Sequence, residues 1–212
     1  MVTPTTDLGC RHKSGISLAG FLAKSAVNGP GIRAVIWVQG CPIRCKGCFN
    51  RAFWSFSPAR EVSPEEIIRQ IRAIQGIEGI TFSGGEPFAQ ADPLAEVGEQ
   101  VREMGYTVVT YTGYTYEHLL SGSNPAWNRL LRVTDLLIAG PYIRGESRSP
   151  PLAGSSNQQL IYLTGRIHKD PTYGQAEGEL VEFSIDSHGT TTITGFPREY
   201  RADLIAARCR EG

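Results

Sequence analysis

Apolar residues recur along this chain in two patterns, short β-branched runs and longer segments with helical spacing. The short runs, which predict buried strands, lie at residues 34–38, 79–85, 106–113, 135–140 and 160–164. Between them, Ser63 and Pro64 begin a helix with an isoleucine stripe, a second helix runs from Asp92 to Gly105, and a shorter helical pair lies around residues 115–132. Strands that alternate with helices predict an α/β fold with a parallel sheet.

The pattern changes towards the C-terminus. Residues 179–185 alternate between apolar and polar side chains, residues 186–189 have the composition of a turn, and residues 190–196 form a second run. This arrangement predicts an antiparallel β-hairpin. We therefore expect one domain over residues 1–164 and a C-terminal extension over residues 165–212 that packs on it.

Charge and hydropathy exclude several classes of function. The 212 residues include 21 Lys plus Arg and 21 Asp plus Glu, without a block of like charge, so nucleic acid binding through phosphate contacts is not expected. Residues 1–15 have no apolar signal core, and no apolar run approaches the roughly 20 residues of a membrane span. We expect a cytoplasmic protein without a membrane partner.

Three of the five cysteines, Cys41, Cys45 and Cys48, lie within one short segment. Their Cys-x3-Cys-x2-Cys spacing lets three thiolates converge on one inorganic centre that contains soft metal ions. A structural zinc ion would need a fourth ligand from Cys10, Cys209 or a histidine, none of which has a finger-like spacing. A cubane iron-sulfur cluster would instead leave its fourth iron open for a substrate or cofactor. Inert packing of the cysteines is the least favoured alternative, because Gly40, Pro42 and Gly47 make the segment a loop.

A second motif, Ser83-Gly84-Gly85-Glu86, follows the strand at residues 79–85. The carboxyl ends of parallel strands are where α/β folds place ligands, and paired glycines let the backbone approach a ligand closely. Alone, the motif fits a tight turn equally well. Together with the cysteine triplet some 35 residues upstream, it predicts a ligand site.

With these two motifs the sequence resembles the radical S-adenosylmethionine (SAM) superfamily, and in particular the glycyl radical enzyme activase family that includes the activating proteins of anaerobic ribonucleoside-triphosphate reductase. The resemblance extends over most of residues 25–159. It is carried by VNGPGIR (27–33), CKGCFN (45–50), SGGEPF (83–88), YTGYTYEHL (111–119), DLLIAGPYI (135–143) and GSSNQ (154–158).

The resemblance implies a partial (β/α) barrel of the radical SAM type, here with a C-terminal β-hairpin extension. It implies a [4Fe-4S] cluster held by the three clustered cysteines, with SAM bound to the fourth iron. The SAM contacts that it implies are Gly47 and Phe49 near the adenine, the motif Ser83, Gly84, Gly85 and Glu86 at the methionine amino group, and Thr112 near the ribose.

The activity implied by the resemblance is reductive cleavage of SAM to a 5′-deoxyadenosyl radical that abstracts hydrogen from a substrate. An electron donor such as flavodoxin or ferredoxin would be one partner, and a glycyl radical enzyme would be the other. Two departures leave a peptide or small-molecule substrate open. Ala139 precedes Gly140-Pro141 where the activases tend to have aspartate, and the predicted hairpin extends beyond the end of such proteins. A non-catalytic iron-sulfur or zinc module is a further alternative.

The hairpin and the aromatic residues near the cysteines carry additional expectations. An alternating apolar face at Val181, Phe183 and Ile185 must be buried against something, and the hairpin could close the barrel over a substrate. Four aromatic residues, Phe49, Phe53, Trp54 and Phe56, could shield the cluster or receive a protein partner, and shielding is favoured. Arg33 is expected to bind loop carbonyls or an acidic group as often as a ligand.

Overall fold

The computed structural model describes residues 15–57, 60–146, 152–169, 181–185, 189 and 191–195. Cys10, Cys209 and most of the turn predicted at residues 186–189 lie outside these residues. Within the described part of the chain, no helix combines the length and the apolar character needed to cross a membrane.

Apart from the first and third strands, which were not predicted, the described strands and helices agree with the pattern of the sequence. In chain order they are β1 (Ile16–Ser25), β2 (Arg33–Val38), β3 (Arg60–Val62), α1 (Pro64–Arg72), β4 (Gly79–Gly84), α2 (Ala91–Glu103), β5 (Thr107–Thr112), α3 (Tyr116–Ser121), α4 (Pro125–Val133), β6 (Leu136–Ala139), β7 (Gln159–Tyr162), β8 (Val181–Ile185) and β9 (Thr191–Gly195). Short 3-10 turns lie at Arg51–Phe53 and Pro87–Gln90. The Ser63 hydroxyl accepts a hydrogen bond from the Glu66 amide at 3.2 Å, which confirms the predicted cap of α1.

Seven strands form one mixed sheet in the order β3-β1-β2-β4-β5-β6-β7. Its four central strands, β2, β4, β5 and β6, are parallel, as predicted. Helix α1 lies in the connection from β2 to β4, α2 connects β4 to β5, and α3 with α4 connects β5 to β6. The mixed α/β fold with a mostly parallel central sheet follows from this alternation.

The outer strands of the sheet correct the expectation of a wholly parallel arrangement. Strand β1 is antiparallel to both β2 and β3, and β7 is antiparallel to β6. The described part of the connection from β6 to β7 contains no helix. The chain therefore turns back beside β6, since a parallel return needs a crossover connection.

The core lies on both faces of the central strands. On one face, α1 buries its isoleucines and α2 buries Leu94, Val97 and Val101. On the other face, a smaller cluster joins strand residues to the segment before and after β7; its members are Val109, Leu136, Ile138, Leu152, Ala153 and Ile167. Burial on both faces fixes the parallel strands, so their carboxyl ends meet at one edge of the sheet.

The β8–β9 hairpin forms a separate two-stranded sheet. Its Glu182 carboxylate accepts hydrogen bonds from the Ser25 hydroxyl at 2.6 Å and the Ala26 amide at 3.2 Å, and Thr194 Oγ1 accepts one from the Asn28 side chain at 2.8 Å. These contacts lie just before β2, at the amino edge of the parallel strands. The length of β2, at about 3.3 Å per residue, separates this edge from the carboxyl edge.

The apolar face of the hairpin is exposed and its polar face is in contact with the main sheet, which is the opposite of the prediction. Phe183 is 63% exposed and Ile185 is 71% exposed, whereas Glu182 and Thr194 face the main sheet. The expectation that the apolar face is buried is therefore wrong for these two residues. Serine, asparagine and backbone groups at residues 25–28 provide polar partners, so the polar face docks instead.

Candidate functional site

The cysteine segment forms a loop that is closed by its own backbone. Directly after β2, the Gly40 amide donates to the Phe53 carbonyl at 2.8 Å, and the Cys41 amide donates to the Trp54 carbonyl at 3.1 Å. The Cys48 amide donates to the Cys45 carbonyl at 3.1 Å. These bonds tie residues 40–41 to residues 53–54, so the three cysteines lie on one compact loop at the carboxyl end of β2.

The three thiols line a single cavity and are free of disulfide bonds. Cys41 is buried, and Cys45 and Cys48 are partly buried. Burial raises the pKa of the Cys41 and Cys45 thiols, so metal binding here must release protons. Within the described residues, no three His, Cys, Asp or Glu side chains are gathered as ligands of one metal ion.

The cavity lies at the carboxyl edge of the four parallel strands, is open to solvent and has a volume of about 110 Å³. Besides the thiols it is lined by the predicted residues Ser83, Gly84, Gly85, Glu86 and Thr112. The remaining lining residues are Ile43, Trp54, Pro87, Tyr111, Gly113, Gly140, Tyr142 and Gln158. Two motifs 35 residues apart in sequence therefore face one space.

Gly84 and Gly85 serve the packing of this edge directly. A Cβ atom at Gly84, whose φ is +104°, would lie 2.4 Å from the Val38 amide nitrogen, and one at Gly85 would lie 2.3 Å from the Gly40 carbonyl oxygen. The Glu86 amide also donates to that Gly40 oxygen at 2.9 Å. The paired glycines allow the end of β4 to lie against the cysteine loop, a requirement additional to the ligand approach predicted from sequence.

Glu86 is a fully buried carboxylate in the wall of the cavity. It accepts hydrogen bonds at 2.9 Å from the Phe88 amide, the Gly113 amide and the Thr112 hydroxyl. Burial raises the pKa of Glu86 from its ordinary value of 4.5 to about 7, and these three hydrogen bonds oppose the rise. A cation bound beside Glu86 would therefore lower this pKa and stabilise the ionised carboxylate.

Thr112, at the end of β5, orients Glu86 through its hydroxyl. Because that hydroxyl donates to Glu86 and accepts from the Tyr114 amide at 3.1 Å, it has acceptor capacity left but no further proton to donate. Any ribose hydroxyl bound by Thr112 would therefore have to be the donor. Ala139 occupies the position where related proteins tend to have a carboxylate. It is 2% exposed and lies beside Thr112 in the pairing of β5 with β6.

Gly47 and Phe49 are not among the described residues that line the cavity. The Phe49 ring packs at a tilt against Tyr142, with ring centroids 4.7 Å apart, and Tyr142 itself lines the cavity. Gly47 lies against the stem of Arg144. The two residues predicted to contact the adenine therefore lie beside the cavity, in the outer part of the cysteine loop.

The aromatic residues and Arg33 differ in their positions. Trp54 lines the cavity, whereas Phe56 is 60% exposed, so shielding by all four aromatic residues is not seen.

Arg33 is buried and donates to the carbonyls of Pro30, Ile80 and Thr107. Sequence reasoning did not assign Tyr142 or Gln158 to the site, although the AGPY and GSSNQ segments that contain them were prominent in the resemblance.

A family model described as a 4Fe-4S single cluster domain matches residues 27–161. A pyruvate formate-lyase-activating enzyme from Clostridium pasteurianum is 31% identical over 118 residues, which cover 53% of this chain and 46% of that protein. An anaerobic ribonucleoside-triphosphate reductase-activating protein from Vibrio cholerae is 33% identical over 149 residues, which cover 65% of this chain and 92% of that protein.

The extent of these matches differs between the relatives. This chain spans about half of the Clostridium pasteurianum enzyme but nearly the whole length of the Vibrio cholerae protein. Among solved structures, QueE from Escherichia coli matches with a TM-score of 0.37 and 18% identity, covering 48% of this chain and 53% of the other. A similarity of that extent does not define a shared fold.

Proposed function

This chain belongs to the 4Fe-4S single cluster domain family, and from that premise we propose that it is a radical SAM enzyme that activates a glycyl radical protein. The observation that carries the proposal is one cavity in which three free thiols face the Ser83–Glu86 motif. The similarity to two activating enzymes, one of which is matched over 92% of its length, supports the same class.

The residues present fit both cofactors. We propose that Cys41, Cys45 and Cys48 hold the [4Fe-4S] cluster, because their thiols are free, lie on one loop and open onto a cavity with room beside them. When bound together, the reduced cluster and SAM supply a one-electron cleavage that yields a 5′-deoxyadenosyl radical able to abstract hydrogen.

The chain's own contribution is to bind and orient SAM. We propose that Glu86, with Ser83, Gly84 and Gly85, receives the methionine ammonium group, since a buried carboxylate with a raised pKa is stabilised by a cation. Thr112 holds Glu86 in place and accepts from the ribose. Gly47 and Phe49 position the adenine from the outer part of the loop, with Phe49 supported by Tyr142.

The finer features of the architecture are also part of the proposal. The mostly parallel sheet, with its site at the carboxyl edge, suits a partial (β/α) barrel of the radical SAM type. We retain a division into a radical SAM domain over residues 1–164 and an extension over residues 165–212. The predicted cytoplasmic location is consistent with free thiols that must stay reduced to bind a cluster.

An exposed group of cations suggests how an electron donor docks. We define the basic collar as Arg44, Lys46, Arg51 and Arg144, all of them exposed. The first three lie within residues 40–57, a segment without Asp or Glu, and Arg144 packs against Gly47 of the cysteine loop. A flavodoxin or ferredoxin with an acidic face would be attracted to this collar, close to the thiols.

Ala139 supports one alternative to a glycyl radical partner. A small apolar residue at the end of β6 removes a carboxylate from the vicinity of Thr112, which changes the charge near the substrate. A peptide or small-molecule substrate is therefore the second candidate, with the same cofactors and the same SAM site.

The test is anaerobic reconstitution of the full chain with iron and sulfide, followed by reduction in the presence of SAM. We expect a bound four-iron cluster and release of 5′-deoxyadenosine. Addition of a candidate glycyl radical protein should then give a glycyl signal by electron paramagnetic resonance (EPR). A chain that binds a cluster but releases no 5′-deoxyadenosine would instead be a non-catalytic module.

A further inference from the structure

Trp54, one of the residues that line the cavity, carries a hydrogen-bond donor without a protein partner. Among the described residues, the Trp54 indole Nε1–H is buried and has no hydrogen-bond acceptor. Burying a donor without an acceptor lowers stability, so such a group calls for an acceptor that arrives with a ligand. Trp127 offers a contrast, because its Nε1–H donates to the Phe88 carbonyl at 2.8 Å.

Trp54 is fixed beside the cysteines by its backbone and by its ring. Its carbonyl accepts from the Cys41 amide at 3.1 Å, and the Arg51 guanidinium carbon lies 5.1 Å from the centroid of its ring. The residue lines the same cavity as all three thiols. Its position is therefore coupled to Cys41, the thiol that is buried deepest in the loop.

The carboxylate of the cavity does not satisfy this indole. Glu86 accepts hydrogen bonds from the Phe88 amide, the Gly113 amide and the Thr112 hydroxyl, and none from the Trp54 indole. The acceptor that completes Trp54 is thus expected to belong to the cofactors. A cluster sulfur is favoured over SAM, because the Trp54 carbonyl accepts from the main-chain amide of Cys41, a proposed cluster ligand.

Building on the proposed function, we propose that the Trp54 indole N–H donates a hydrogen bond to a sulfur of the bound cluster and raises its reduction potential. Hydrogen bonds to cluster sulfurs are among the factors that set the potential. A donor stabilises the reduced state more than the oxidised state, since reduction adds negative charge to the sulfurs. Trp54 is then a positioning and tuning residue for electron entry.

The test compares Trp54→Phe with Trp127→Phe, which makes the same chemical change at an indole that already has a protein acceptor. Each full-length variant is reconstituted, and its cluster is titrated with reductant in the absence of SAM and followed by EPR. We expect Trp54→Phe to shift the ratio of oxidised to reduced cluster roughly tenfold towards oxidised, about 59 mV for a one-electron couple. Trp127→Phe should match the wild-type protein.

A second measurement does not depend on how well the variants fold. Wild-type protein labelled with indole ¹⁵N-tryptophan, reduced and transferred to D₂O, should show by electron-nuclear double resonance an exchangeable proton and a ¹⁵N nucleus coupled to the cluster. Absence of both couplings would overturn the inference.

The remaining outcomes are also decisive. An unchanged potential in a Trp54→Phe protein that holds a full cluster would refute the inference while leaving the proposed function intact. Weaker SAM binding in that variant at an unchanged potential would assign the N–H to SAM and overturn the cluster assignment. Failure of the wild-type protein to bind a cluster would refute the proposed function itself.

Discussion

At the scale of single residues, the proposal gives the three clustered thiols a role that the two terminal ones do not share. Replacing Cys41, Cys45 or Cys48 with alanine should abolish the visible absorbance of the reconstituted cluster, because each change removes one of the three proposed thiolate ligands. Cys10→Ala and Cys209→Ala are the controls and should retain it. Loss of the cluster in either control would place a fourth ligand on the protein and leave no open iron for SAM.

Gly85 links the Ser83–Glu86 motif to the cysteine loop through steric contact. Alanine at this position would put its Cβ 2.3 Å from the Gly40 carbonyl oxygen, so the loop must move. We expect Gly85→Ala to lower the free energy of unfolding by about 1–3 kcal/mol and to reduce the cluster content. Gly165→Ala, where a Cβ would meet nothing within 4 Å, is the matched control. Normal cluster content with weakened SAM binding would show that this glycine serves only the ligand.

Glu86 makes the stability of the cofactor-free protein depend on pH. Its folded pKa of about 7 exceeds its ordinary value of 4.5, so between these values the folded state binds more protons than the unfolded state. The free energy of unfolding should therefore fall as pH rises through this window, by at most roughly 3 kcal/mol at about 1.36 kcal/mol per pH unit.

The test of this pH dependence is urea unfolding at pH 5 and pH 8. Glu86→Gln should lose the contribution, whereas Glu103→Gln, at an exposed carboxylate at the end of α2, should behave like the wild-type protein. The difference in unfolding free energy between wild type and Glu86→Gln must then change with pH. A constant difference would show that Glu86 keeps its charge in the folded protein.

At the scale of helices and strands, the sequence predicted those with a strong local pattern of apolar residues. It did not predict those whose presence or direction depends on pairing with other strands. The central strands are continuous apolar runs, and α1 is defined by Ser63 and Pro64 before its isoleucine stripe. Strand β1 was missed because, after Ile16, its residues neither alternate between polar and apolar nor include a β-branched side chain. The direction of β7 depends on the path of residues 140–158, which no periodicity encodes.

The candidate site shows the same division. Cysteine spacing and the SGGE motif are local signals, and the structure brings both to one cavity. The parts of the cavity wall contributed by Tyr142 and Gln158 come from a connection whose path is set by long-range hydrogen bonds, such as that from Gln158 Nε2 to the Gly140 carbonyl at 2.8 Å. Likewise, only the neighbouring loop shows that Gly84 and Gly85 are needed for packing.

The basic collar gives an element-scale prediction about electron delivery. Lys46→Glu combined with Arg51→Glu should slow reduction by an acidic flavodoxin roughly tenfold at low ionic strength, because charges at the rim of an interface act mainly on the rate of encounter. Stopped-flow reduction of the cluster measures this rate. The difference should fade as salt is added, since exposed charges are screened.

Arg72→Glu is the control for the collar, because Arg72 is exposed on α1 and outside the cysteine loop. This single reversal should leave the rate of reduction close to that of the wild type. A double collar variant that is reduced as fast as the wild type at low salt would exclude the collar as the docking surface. Equal slowing by Arg72→Glu would point to net charge rather than to a local patch.

At the scale of the whole molecule, the hairpin and the candidate cofactor site lie at opposite edges of the sheet. Glu182 and Thr194 bind residues 25–28, just before β2 begins, whereas the cysteine loop starts where β2 ends. About 17 Å of strand separates the two, at 3.3 Å per residue. The described hairpin is thus placed to support the fold near Ser25 and does not cover the cavity, contrary to the idea of a lid.

Deletion of residues 170–212 tests this separation of roles. Because the deleted hairpin bonds only the amino edge within the described residues, the truncated protein should keep its cluster and bind SAM within about twofold of wild type. It should lose about 1–3 kcal/mol of unfolding free energy, since buried Ser25 and Asn28 lose their hydrogen bonds to Glu182 and Thr194. The paired assay measures SAM binding, 5′-deoxyadenosine release and the glycyl EPR signal in a candidate partner. A glycyl signal of equal size from both proteins is expected if the partner approaches the carboxyl edge. Intact SAM binding with lost substrate-coupled turnover would instead restore the lid and favour a peptide or small-molecule substrate.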